Sequence, residues 1–270
     1  TRQTLSNLIL GLAYIGDYPA GLTDAVAQCL CAYIQLEVAD RESNHLGTAI
    51  SPVTPVGGSY RDFSRFLWSV SHYRDLDISS ITITAPFVSP FSTSTESILY
   101  SIIDKMGSSI AEIQLADGKK IEREEESSSP YDTIAHDTVL CLRAFAKLGV
   151  EARMLLPRGD TITSILNFVM QHADARDVIL CLHALGKMHF TFSPLVGVQE
   201  DHVVAINDPT KTLILHTFAT RVLVSKEMSA QNLAVSLYSL GHLLKAEWSA
   251  LTAPVQHTIM TLIPQYLPSY

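Results

Sequence analysis

Apolar residues recur along this chain with the period of one helical face, in five copies of a twelve-residue pattern. The clearest copy is Val178–His189, VILCLHALGKMH; the others are Leu5–Gly16, Phe63–Arg74, Thr138–Gly149 and Leu233–Leu244. Motif positions 1, 4, 5, 8 and 11 are mostly apolar in each copy, the i, i+3, i+4, i+7 spacing of a helix with one buried stripe. A helix repeated in this way predicts a repeat protein, in which each unit buries its stripe against its neighbours.

A second helical segment follows each copy. Leu22–Gln35 pairs with the first motif across the turn Asp17–Gly21, and Thr95–Met106 follows the second, whose helix is predicted to start after a cap at Asp62 and to end near Arg74. The third hairpin is predicted as Thr133–Leu148, closed by Gly149 as a C′ residue, and Thr161–Gln171. The fourth motif helix ends near Met188 and is followed by Thr212–Val224; the fifth pairs Ala230–Leu244 with Ala253–Ile263. The architecture implied is an all-α protein, an α-solenoid of about five helix-turn-helix hairpin repeats in one domain over 1–270, with inserted loops. Connectors are predicted at about 37–59, 75–94, 117–132 and 190–210, where Pro, Gly, Ser and β-branched runs break helical period. Asp117–Pro130 is expected to be mobile, and 75–94 to contain an extended piece.

Two motif positions are small in every copy. Position 7 is Gly11, Ser69, Ala144, Ala184 and Ser239, and position 9 is Ala13, Ser71, Ala146, Gly186 and Gly241. Small side chains let helix backbones approach closely, as stacked hairpins require. Positions 6 and 10 lie four apart on one face and differ in chemistry: Leu10 and Tyr14, Trp68 and His72, Arg143 and Lys147, His183 and Lys187, Tyr238 and His242. Stacked repeats would align them into a ladder. Aromatic faces stack unpaired bases and Arg or Lys holds phosphate, so the ladder suits single-stranded RNA; alternatively, position 6 packs between helices and position 10 extends into solvent.

Composition changes this picture in one respect. The net charge of −8 runs against a nucleic-acid binder, yet Glu96–Asp132 holds nine acids against four bases and so carries −5 of it. With 47% hydrophobic residues the chain can bury a large core. Four cysteines do not make a disulfide scaffold. Cys141 and Cys181 share an apolar motif position and read as reduced core residues, while the C-x-C of Cys29 and Cys31 points to two helix faces and does not read as a metal site. No apolar run reaches the ~18 residues of a membrane span. The chain begins at Thr1, the expectation being a processed form or part of a longer protein.

Catalytic signatures are not found: no P-loop, no dinucleotide fingerprint, no H-E-x-x-H and no G-x-S-x-G. Gly57-Gly58-Ser59 reads as a linker, Glu124–Glu126 as a solvated loop, and the ten histidines as scattered apart from His72, His183 and His242 of the ladder. The expectation is a protein that is not an enzyme and takes no cofactor or metal.

The motif helices, above all LSNLILGLAYIG, FSRFLWSVSHYR and TVLCLRAFAKLG with its Ala146–Gly149 ending, resemble octotricopeptide-type repeats and the related helical repeats of the FASTK and RAP-domain proteins. The resemblance covers most of the chain. It implies a mitochondrial matrix protein of RNA metabolism: a scaffold or RNA-binding subunit of a ribonucleoprotein assembly acting in RNA processing, editing or translation. Its partners would be other protein subunits of a large complex and single-stranded RNA, with no DNA and no membrane insertion. The alternatives are a purely protein-binding architectural subunit of a mitochondrial ribosome or other large organellar complex, with no direct RNA contact, and a subunit of a membrane-associated respiratory assembly. The intervals of 58, 75 and 55 residues between motif starts depart from the family's period, and no RAP-like domain follows the fifth copy.

Overall fold

The structure, a computed structural model, describes residues 7, 8, 11, 25, 26, 28, 56–72, 82–84, 95–117, 129–192, 204–226, 228–244 and 251–266. Helices dominate, as the periodicity predicts, and the chain divides into two compact units, Thr1–Val150 and Glu151–Tyr270. No described helix is long and apolar enough to cross a membrane. Of the first hairpin only Asn7, Leu8, Gly11, Ala25, Val26 and Gln28 are described, all helical. Leu10, Ala13, Tyr14, Cys29 and Cys31 lie outside the described residues, as does most of 117–130.

In the first unit, α1 (Val56–Val70) packs along α3 (Pro130–Lys147), and α2 (Ile98–Asp117) touches both. The second and third motif copies are therefore neighbours although 75 residues separate their starts. Their apolar stripes form the core: Phe63, Phe66, Leu67 and Val70 face Cys141, Leu142 and Phe145, all 1% exposed or less. The predicted insertion contains an extended piece, β1 (Thr82–Thr84), which lies antiparallel to β2 (Thr95–Ser97).

Several boundaries differ from those predicted. Helix α1 begins before Asp62, which is an interior residue and not a cap, and Gly57 and Gly58 are helical and not linker. Helix α2 starts at Ile98 because Thr95–Ser97 pairs as a strand, and it runs on through the amphipathic IAEIQLAD stretch to Asp117. Helix α3 starts at Pro130, where the missing N–H costs nothing at N1 and Ser129 accepts the Tyr131 N–H at 3.3 Å. Gly149 closes α3 at φ 74°, with the Val150 N–H donating to the Phe145 carbonyl at 3.0 Å, a Schellman end.

In the second unit the 3-10 turn Ala152–Arg158 leads into α4 (Gly159–His172), followed by α5 (Ala175–Lys187), α6 (Asp208–Thr217), α7 (Ala230–Leu243) and α8 (Ala253–Tyr266). Motif helix α5 packs on motif helix α7, and the second helices α4 and α6 pack on each other. Asp174, Asn207 and Ser229 cap α5, α6 and α7, accepting the N–H three residues on at 2.7, 2.9 and 3.1 Å. The Asn207 cap and Pro209 start α6 four residues earlier than predicted, where the proline had read as loop. A π-helical turn, Phe218–Val222, follows and aims Arg221 at the open end of α4, donating to the carbonyls of Ala173 at 2.8 Å and Gln171 at 2.6 Å.

Of the small motif positions, position 7 is packed more consistently than position 9, where Ala146 is half-buried and Gly241 is exposed with nothing within 4 Å of an added Cβ. Ser69, Ala144, Ala184 and Ser239 at position 7 are all buried, while Gly11 is exposed. At position 9, a Cβ on Gly186 would stand 3.5 Å from the His242 Cβ and 3.6 Å from the Ser239 carbonyl oxygen, so copies four and five touch through these residues. Cys141 and Cys181 are free, fully buried thiols; burial pushes Cys181 up to about 12 and Cys141 higher still, which leaves both as inert core.

A polar seam crosses the α1–α3 contact. The Tyr60 hydroxyl pairs with Thr138 Oγ1 at 3.0 Å, and Ser64 donates to Asp137 Oδ1 at 2.9 Å. Asp137 is 1% exposed and its Oδ2 has no partner among the described residues. Burial raises its pKa above the ordinary carboxylate value, opposed by Ser64 and by the charges of His136, Arg61 and Arg65. A carboxyl that holds its proton more tightly folded than unfolded costs stability as pH rises through the folded pKa. Asp137→Asn is therefore expected to flatten the pH dependence of the thermal midpoint above the carboxylate range and to raise the midpoint at neutral pH, read by calorimetry. Gly149→Ala places a Cβ at positive φ and should cost about 1 kcal/mol, seen as a lower thermal midpoint.

Candidate functional site

The motif periodicity places positions 6 and 10 one helical turn apart, and the packing of motif helices decides what faces them. In the first unit Trp68 and His72 project from the end of α1 and meet edge to face, ring centroids 5.0 Å apart, with His72 Nδ1 2.9 Å from the Trp68 carbonyl oxygen. Arg143 and Lys147 reach across from α3. The Arg143 guanidinium carbon stands 4.5 Å from the Trp68 ring centroid and Lys147 Nζ 5.2 Å from it. All four ladder residues of copies two and three are thus in one cluster, with both cations over one indole, each contact worth ~0.5–1 kcal/mol when exposed.

In the second unit Tyr238 and His242 repeat the edge-to-face pair at 4.6 Å. The helix beside them, α5, carries half-buried His183 and exposed Lys187, with Gly186 against His242. No cation covers the Tyr238 ring among the described residues, and the side chain is 61% exposed. Beside it opens a groove of about 440 Å³ lined by Gly186, His189, Phe190, Thr191, Tyr238 and His242, with Leu237 and Gly241 along α7.

The wall of this groove was not legible as a site. After α5 the chain turns at His189 into β3 (Phe190–Thr191), which pairs in parallel with β4 (Val204–Ala205); the Phe192 N–H donates to the Leu243 carbonyl at 2.8 Å and ties the strand to the end of α7. His189 adopts φ 63°, the left-handed region, at the last motif position, where copies one and three carry Gly16 and Gly149. Copies two and five carry Arg74 and Leu244 there, so the sequence alone does not mark His189. Of the predicted ladder, Trp68, His72, Arg143 and Lys147 come together in the first unit, and Tyr238 and His242 in the second; Tyr14 lies outside the described residues.

The arrangement offers aromatic faces, imidazole and hydroxyl groups and a few cations on helix surfaces. No described group of three His, Cys, Asp or Glu side chains could hold a metal ion. Compared with known proteins, the chain matches no family model, no characterised protein and no solved structure.

Proposed function

We propose that the protein is a non-enzymatic helical-repeat scaffold, its hairpins stacked as an α-solenoid, that holds single-stranded RNA on the position 6 and 10 ladder. Its setting, on the repeat resemblance, is a ribonucleoprotein assembly of the mitochondrial matrix acting in RNA processing, editing or translation. The observation that carries the reading is the cluster of Trp68, His72, Arg143 and Lys147. Successive motif copies bring an aromatic ring and two cations onto one surface, the pairing that stacks bases and holds the phosphates between them. The stacking of α1 on α3 and of α5 on α7 supports the repeat arrangement.

A second reading, an architectural subunit that binds protein and leaves RNA to its partners, is favoured by the net charge of −8 and by Tyr238, an exposed aromatic of the kind that anchors interfaces. The two separate in a salt titration. Replacing Arg143 and Lys147 together by Ala should weaken binding of single-stranded RNA and reduce its slope against log salt by roughly 1.4, the single-strand value for two phosphate contacts. An unchanged slope, with assembly lost on Tyr238→Ala, would establish the protein-binding reading instead.

A further inference from the structure

Ladder residues in the two units have different surroundings. Arg143 and Lys147 lie over Trp68, and His72 and His183 each have partners. Tyr238, His242 and His189 differ: among the described residues their side chains make no hydrogen bond or ion pair, and the single ring contact is that of Tyr238 with His242. These three side chains border one groove, whose volume of about 440 Å³ falls in the range of small-ligand sites.

The backbone adds an independent observation. His189 occupies the left-handed region at φ 63°, where a non-glycine residue costs stability. Copy three resolves the same position with Gly149 at φ 74°. The chain thus keeps a strained histidine where glycine would fit, and it does so at the rim of the groove. The strand that follows is held by hydrogen bonds from Phe192 to Leu243 and from Ile206 to the Thr191 carbonyl, so the rim is built and not loose.

The geometry points to a pocket for one unpaired RNA base, and we propose that Tyr238 stacks it while His189 and His242 hydrogen-bond its edge. The edge-to-face contact at 64° sets the His242 ring across the tyrosine ring and not flat upon it, the condition for a planar base to stack. Gly241 leaves the α7 side of the groove open, since a Cβ there would meet nothing within 4 Å. Imidazole nitrogens both donate and accept, as base edges require. This inference rests on the RNA reading above and assigns it a specific subsite.

The test uses the full chain and short fluorescent homopolymers of U, A and C, with three single variants and the Arg143→Ala/Lys147→Ala double variant. Tyr238→Ala should weaken binding roughly tenfold and Tyr238→Phe leave it near wild type, as the loss of one stacked base requires. His189→Gly should raise the thermal midpoint by about 2–4 °C by relieving the backbone, yet weaken binding several-fold, a combination that a merely structural residue would not give. If Tyr238→Ala and His189→Gly bind as wild type while the double variant loses affinity, the pocket is overturned and the RNA reading stands. If the wild-type chain binds none of the homopolymers, both fall.

Discussion

The close approach of one motif helix to the next is the constraint on which the rest of the structure depends. A twelve-residue helix with a single apolar stripe cannot bury that stripe alone, so α1 lies on α3 and α5 lies on α7. The approach is set by the small residues at motif position 7, where Ser69, Ala144, Ala184 and Ser239 are all 1% exposed or less. Any larger side chain there would overpack the seam. Because position 7 adjoins position 6 in the chain, the residues that let the helices meet also decide which surface side chains come face to face.

That coupling yields two outcomes from one pattern. In the first unit an indole and two cations are brought together on one surface. In the second a glycine at position 9 of α5 lets α7 come close, the tyrosine ring stays open, and a strained turn sets a histidine beside it. The buried groups of the α1–α3 contact stand apart from this surface chemistry. Cys141, Tyr60 and Asp137 are all shifted upward by burial and serve to fix the packing of the two helices.

Helix existence and the apolar stripe were legible because period and burial agree: Val178, Cys181, Leu182, Leu185 and Met188 read as one face and are each fully buried. The Gly149 end was legible because only glycine takes that φ without cost. Helix starts were not: Asp62 and Pro209 carry signals that serve equally as cap, loop or first turn, and packing of the following turns chose between them. The ladder's residue types could be read in advance, but its contacts could not, since a 75-residue interval gives no sign that Trp68 meets Arg143. His189 was missed because a histidine outside the ladder faces reads as an ordinary surface residue until its backbone angle is known.

The central claim is that RNA touches this chain itself. The direct measurement is ultraviolet crosslinking in whole-cell lysate followed by pull-down of the protein, with and without ribonuclease, and mapping of nucleotide adducts by mass spectrometry. The account predicts adducts on the chain at Trp68 or its α3 partners and at Tyr238, lost when ribonuclease precedes irradiation. Protein partners that survive ribonuclease, with no adduct anywhere on this chain, would contradict it.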